Sequence, residues 1–233
     1  MMLGRPISTA AAALLLVGLI ASCDQLPGKP DEAARWKRPT EVVAFDQLYT
    51  ENCSGCHGAD GRLGAARSLN DPLYLALVND ETFRQVIAQG VPNTAMPAFA
   101  QQQGGNLTNE QIKLLVQGIR SRWTQSEQLQ GSTLPPYGID KNSGSGDLSR
   151  GSLVYQVYCA QCHESDGRSR SKAGSILDPN YLSLVSDQSL RTTVIVGRSD
   201  LGKPDWRNNV QGRSMTPQEI SDVVAWIASH RGG

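Results

Sequence analysis

Cys53-Ser54-Gly55-Cys56-His57 recurs in pattern as Cys159-Ala160-Gln161-Cys162-His163. Two cysteines three positions apart can each form a thioether to one vinyl group of the same porphyrin, and the histidine that follows then faces the iron. Each pentapeptide therefore reads as a covalent haem attachment site, and the chain has two. A zinc ribbon also uses paired C-x-x-C motifs, but its pairs lie about 15 to 20 residues apart. Here more than a hundred residues separate them. A thioredoxin-type dithiol would be one pair beside a βαβ pattern, which neither flank has.

The repeat extends outward from the motifs. Asp60-Gly61-Arg62 returns as Asp166-Gly167-Arg168, and Asp71-Pro72-Leu73-Tyr74-Leu75 as Asp178-Pro179-Asn180-Tyr181-Leu182, with Gly90 matching Gly197 and Pro97 matching Pro204. A duplicated domain is the simplest source of such a pattern. Helical signals fall at the same places in both copies. Phe45, Tyr49 and Cys53 are spaced four apart, as are Gly151, Tyr155 and Cys159, so each set lines one face of a helix leading into its haem motif. A middle helix is expected after an aspartate cap at Asp80 or Asp187, stopping at Gly90 or Gly197. Thr108-Asn109-Glu110-Gln111 and Thr216-Pro217-Gln218-Glu219 are capping boxes that open the last helices. The expected fold is all-α: two small helical domains in tandem, residues 41–123 and 148–233. Residues 124–147, rich in Ser, Gly, Pro and Gln, read as a flexible linker between them.

Four of the five cysteines belong to the motifs, leaving Cys23. Arg5 and the apolar run from Ala10 to Ile20 read as an export signal, residues 1–22, too short to span a bilayer. The run ends in Ile20-Ala21-Ser22-Cys23, which resembles a bacterial lipobox, and that resemblance implies a diacylglyceryl group on Cys23. Two acyl chains suffice for stable anchoring. Residues 23–40 then form a polar tether, and Asp24 resembles the signal that keeps some lipoproteins at the inner membrane. The expected location is exported and lipid-anchored on the periplasmic face. Basic and acidic residues balance at 22 each, with no charge run that would suit nucleic acid. At 39% hydrophobic and 6% aromatic, two domains this small have thin cores unless a porphyrin supplies apolar mass. The haem-free chain is expected to fold poorly.

Both units resemble class I cytochrome c, over residues 41–123 and 148–230. The resemblance rests on the attachment motif, on a tyrosine four residues before its first cysteine, and on a glycine four residues before that tyrosine in the second unit (Gly151). Phe45 replaces that glycine in the first, a departure expected to affect how the first and last helices cross. The resemblance implies two haem c groups, bound through Cys53, Cys56, Cys159 and Cys162, with His57 and His163 on the irons. It further implies a methionine–proline loop for the sixth ligand, which Met96-Pro97-Ala98-Phe99 matches. In the second unit the corresponding stretch is Gly202-Lys203-Pro204-Asp205-Trp206, with lysine in place of methionine. An amine binds iron only when deprotonated, and its reference pKa is about 10.4. Met215 competes with Lys203, although it aligns with Leu107 ahead of the capping box, where an apolar staple belongs. His230, in the last turn of the final helix, complements the helix dipole. An open second iron is the remaining alternative.

The expected function is single-electron transfer between membrane-associated and exported partners, either redox proteins or a membrane respiratory or photosynthetic complex. It is not expected to be an enzyme. The alternative is a dihaem oxidoreductase of the peroxidase or sulfur-compound dehydrogenase type with the second haem as active site. Asp60, Arg62, Asp166 and Arg168 follow the motifs and stand either near haem propionates and docking partners or as solvated turn residues.

Overall fold

A computed structural model describes residues 28, 31, 35–124, 133–139, 146–167, 174–207 and 210–232. The export signal, Cys23, most of the tether and Arg168 lie outside the described residues. Residues 39–233 form one compact unit built from two similar halves.

In the first half, α1 (Phe45–Asn52) runs into the short α2 (Ser54–His57), followed by α3 (Pro72–Leu77), α4 (Asp80–Gln89) and α5 (Asn109–Trp123). The second half repeats this order as α6 (Leu148–Tyr158), α7 (Ala160–His163), α8 (Pro179–Ser183), α9 (Asp187–Val196) and α10 (Pro217–Ala228). Among the described residues no strand forms, and in each half the first helix packs on the last, α1 on α5 and α6 on α10. Their inner faces supply the core: Leu48, Tyr49, Ile112, Leu115 and Ile119 in one, Val154, Tyr155, Ile220, Val223 and Ile227 in the other.

Local chemistry sets the boundaries. Thr108 with Gln111, and Thr216 with Glu219, close reciprocal capping boxes. Asp71 and Asp178 cap α3 and α8, each with proline at the first helical position. The middle helices differ from expectation by one residue. Asn79 and Ser186 are the caps, accepting from Thr82 and Ser189 N–H. Both residue types cap as well as aspartate does. Asp80 and Asp187 fall instead in the first turn, where each meets an arginine. Arg120 bonds the carbonyls of Leu75 and Val78 and the carboxylate of Asp80. Arg231 does the same with Leu182 and Val185 carbonyls, at 3.0 and 2.8 Å, and with Asp187 at 2.5 Å.

The helix crossing accounts for Phe45. In the second half a Cβ on Gly151 would lie 2.2 Å from Asp222 O and 2.7 Å from Trp226 Cβ, so the glycine on α6 admits α10 and its tryptophan. In the first half the glycine has moved to the partner helix. A Cβ on Gly118 would lie 2.0 Å from the Phe45 ring. Counted from their N-caps, Gly118 and Trp226 occupy the same helical position. Bulk and gap have exchanged helices, and the close crossing is kept.

The described part of the linker is anchored on α9: Arg191 donates to Pro136 O from two nitrogens, at 3.1 and 2.9 Å, and Gln188 to Tyr137 O at 2.8 Å.

Candidate haem sites

Each attachment motif is one turn of helix. His57 and Cys56 N–H groups return to Cys53 O, and His163 and Cys162 to Cys159 O, placing both cysteines and the histidine on one short segment. Neither cysteine pair is closed as a disulfide. Burial pushes the Cys53 and Cys159 thiols up to about 12, so neither is poised as a reactive thiolate. Among the described residues, no group of three or more His, Cys, Asp and Glu side chains could hold a bare metal ion. The donor set suits thioether attachment to a porphyrin, with one nitrogen ligand from the chain.

The histidines present that nitrogen. His57 Nδ1 lies 2.7 Å from Arg67 O, and His163 Nδ1 lies 3.0 Å from Gly174 O. A carbonyl only accepts, so Nδ1 carries the proton in each ring and Nε2 keeps its lone pair for a metal. Burial also holds the His57 imidazole below its ordinary pKa and hence neutral. The motif tyrosines brace the following turn: Tyr49 donates to Gly58 O at 2.9 Å and Tyr155 to Glu164 O at 2.6 Å. That turn needs φ of 83° at Gly58 and 62° at Glu164, so the second half holds glutamate in backbone space that favours glycine.

The candidate sixth-ligand loops share a closing backbone hydrogen bond. Val91 N donates to Met96 O at 3.0 Å, and Arg198 N to Lys203 O at 3.3 Å. Gly90 and Gly197 end α4 and α9 at φ of 68° and 70°. A Cβ on Gly90 would meet Met96 O at 2.7 Å, and one on Gly197 would meet Lys203 O at 2.8 Å. Lys203 therefore stands at the backbone position of Met96. It is exposed, whereas Met96 is half-buried. Met215 matches Leu107: Leu107 N donates to Phe99 O, Met215 N to Trp206 O, and both side chains are buried. His230 is engaged elsewhere, its Nδ1 2.8 Å from Trp226 O and its ring 4.7 Å from the Trp226 ring. Asp60, Arg62 and Asp166 are exposed.

Two residues carry no signature in the sequence, Arg67 and Gly174, whose carbonyls accept from the histidines. Any residue supplies a backbone carbonyl, so no side-chain signature marks these positions.

Residues 41–117 match the family described as cytochrome c oxidase, cbb3-type, subunit III, and residues 148–231 the family described as cytochrome c. A cytochrome bc1 complex cytochrome c subunit of Corynebacterium diphtheriae is 23% identical, over 78% of this chain and 64% of its own length. A cbb3-type cytochrome c oxidase subunit of Azospirillum sp. is 27% identical, over 79% of this chain and 60% of its own. A dihydro-heme d1 dehydrogenase of Pseudomonas aeruginosa is 28% identical over 53% of this chain and 22% of its own. The chain spans about three-fifths of the length of the first two. No described helix is long and apolar enough to cross a membrane.

Proposed function

Two cytochrome c domains stand in tandem in this chain and imply two covalently bound haem c groups, and from that premise we propose that it is a carrier of single electrons between a membrane-associated complex and an exported redox protein. The observation that supports this most is the duplicated turn in which both cysteines precede a histidine whose Nδ1 is tied to a carbonyl. When bound, each haem supplies an iron that changes charge by one electron. The chain's residues do the rest. Cys53 and Cys56 hold one porphyrin, Cys159 and Cys162 the other, and His57 and His163 give each iron a nitrogen of fixed tautomer. Met96 supplies a thioether to the first iron and Lys203 an amine to the second; the burial of Met215 in the place of Leu107 favours Lys203. Thioether ligation raises a haem potential relative to nitrogen ligation, so the first haem lies higher.

Relatives named for a bc1 complex and a cbb3-type oxidase support a respiratory complex as partner. The lipobox-like segment supports a diacyl anchor on Cys23, holding the domains at the periplasmic face by residues 23–40. A second reading, with the second haem as an enzyme site, draws on the exposed Lys203 and on the dehydrogenase relative.

Mature protein from a haem-attaching host, treated with carbon monoxide when reduced and with peroxide when oxidised, separates the two. The carrier predicts two covalent haems per chain, two one-electron waves and no turnover. Peroxide turnover at one haem would favour the enzyme, and colourless protein would end both readings. Cys53→Ser/Cys56→Ser is expected to halve the covalent haem.

A further inference from the structure

The loop that follows the first haem motif is held by both halves of the molecule. From the second half, Asp200 Oδ2 accepts from Leu63 N at 3.0 Å, Arg198 donates to Gly64 O at 3.0 Å, and Ser199 donates to the carboxylate of Asp71 at 2.6 Å. Asp200 is itself gripped by two Arg198 nitrogens, each at 2.9 Å. Central to the contact is Arg67. Its Nη2 donates to Ser189 O at 3.1 Å and to Thr193 Oγ1 at 2.9 Å on α9, while its guanidinium lies over the Tyr74 ring, 5.4 Å from the centroid. The Thr193 hydroxyl donates its own proton to Ser189 O, which leaves its lone pairs for the arginine.

Arg67 is also the residue whose carbonyl holds His57 Nδ1. Its main chain thus touches the first histidine and its side chain touches the second half. Among the described residues the other haem site shows no such bridge: His163 is held at a longer distance by Gly174, an exposed residue without a side chain to anchor it. Firm acceptance by a carbonyl makes an imidazole a stronger donor to iron and favours the ferric state.

We propose that Arg67 is a positioning residue through which α9 of the second half fixes the carbonyl on His57 and so sets the donor strength of the first haem's histidine. The inference rests on His57 as ligand of that iron. The first haem's potential then depends on contacts made by the second domain, and the two haems do not tune independently.

Two variants of the dihaem protein test this. Thr193→Val removes one acceptor from α9 without changing charge, and Arg67→Lys keeps the charge but not the planar reach. In both, exchange of the hyperfine-shifted His57 Nδ1 proton is expected to quicken, by about tenfold for Arg67→Lys, equivalent to about 1.4 kcal/mol. The first haem's midpoint rises and the second's stays. If both variants exchange this proton and titrate like the unaltered protein, the inference is overturned. An Arg67 that only stabilises packing would lower the melting temperature and move neither readout. Should the unaltered protein's His57 ring resonances show no hyperfine shift, the ligand assignment fails instead, a result separate from any effect of Arg67.

Discussion

The two halves solve one packing problem with opposite parts. Where the first and last helices cross, the first half sets Phe45 against Gly118 and the second sets Gly151 against Trp226. The aromatic clusters differ to match: Tyr49 lies 5.2 Å from Trp123, Tyr155 lies 4.6 Å from Trp226, and Trp123 reaches back over Gly61. What must persist is the closeness of the crossing, because it sets the helix that delivers the haem motif. Which helix carries the gap is free.

The most damaging change to that comparison is Gly118→Trp, which puts an indole where the Phe45 ring already lies. Overpacking should cost about 3 kcal/mol, read from denaturant unfolding of the holoprotein. Phe45→Gly alone should cost a similar amount by leaving a cavity. The double variant rebuilds the second half's arrangement in the first and should recover a coupling energy of about 2 kcal/mol. Additive losses would mean that the two crossings differ for some other reason.

The halves diverge most in their proposed sixth ligands, and Lys203→Met makes them alike. Axial-ligand identity moves haem potentials over about 0.8 V. The substitution should raise the second haem's midpoint by about 0.1 V, equivalent to about 2.3 kcal/mol, and add a near-infrared methionine–iron band at one haem only. Met215→Leu should change neither. If Met215→Leu abolishes a band present in the unaltered protein, the assignments exchange.

Much of this was legible in the chain because its signals are local. A capping box, a proline after a cap and a C-x-x-C-H turn all act within four residues, and each stands where its spacing put it. The match of Lys203 to Met96 was legible too, since Gly90 and Gly197 index both loops. Other features were not, because they arise between elements. That Gly118 compensates Phe45 depends on two helices separated by some sixty residues of chain. That Arg67 joins a histidine to the other half depends on a carbonyl, which every residue has. Asp80 and Asp187 looked like caps because aspartate is a good one; the residue before each is as good, which frees the aspartates to pair.

Those pairings hide a second equivalence of parts. Arg120 lies inside α5 and Arg231 lies after α10, yet each clamps the same two carbonyls and the same aspartate of its half. Arg120→Met and Arg231→Met should each cost about 2 kcal/mol, since both leave carbonyls without a charged donor. Equal losses in thermal unfolding support the equivalence. A neutral Arg231→Met would show that the second clamp is ornamental.

The smallest difference concerns acid. Asp46 and Arg122 bridge α1 to α5 on the open surface, whereas Asp222, with a side chain 2% exposed, bridges α10 to α6 through Arg150 at 2.8 Å. Burial pushes the Asp222 carboxyl up, but Arg150, the Asp147 N–H and the Gln218 amide outweigh it and hold it below the usual carboxylate range. A carboxyl depressed in the folded state stabilises above its unfolded pKa of about 3.9 and loses that contribution as the pH falls through the folded value. The second half should therefore loosen first below about pH 4. Because Arg150 is more than half exposed, solvent screening keeps the effect small. Asp222→Asn should flatten the acid limb of the second haem's Soret loss, and Asp46→Asn should leave the first haem's acid limb where it was. An acid limb equally steep in both halves would place the sensitivity in the haem sites rather than in the buried carboxylate.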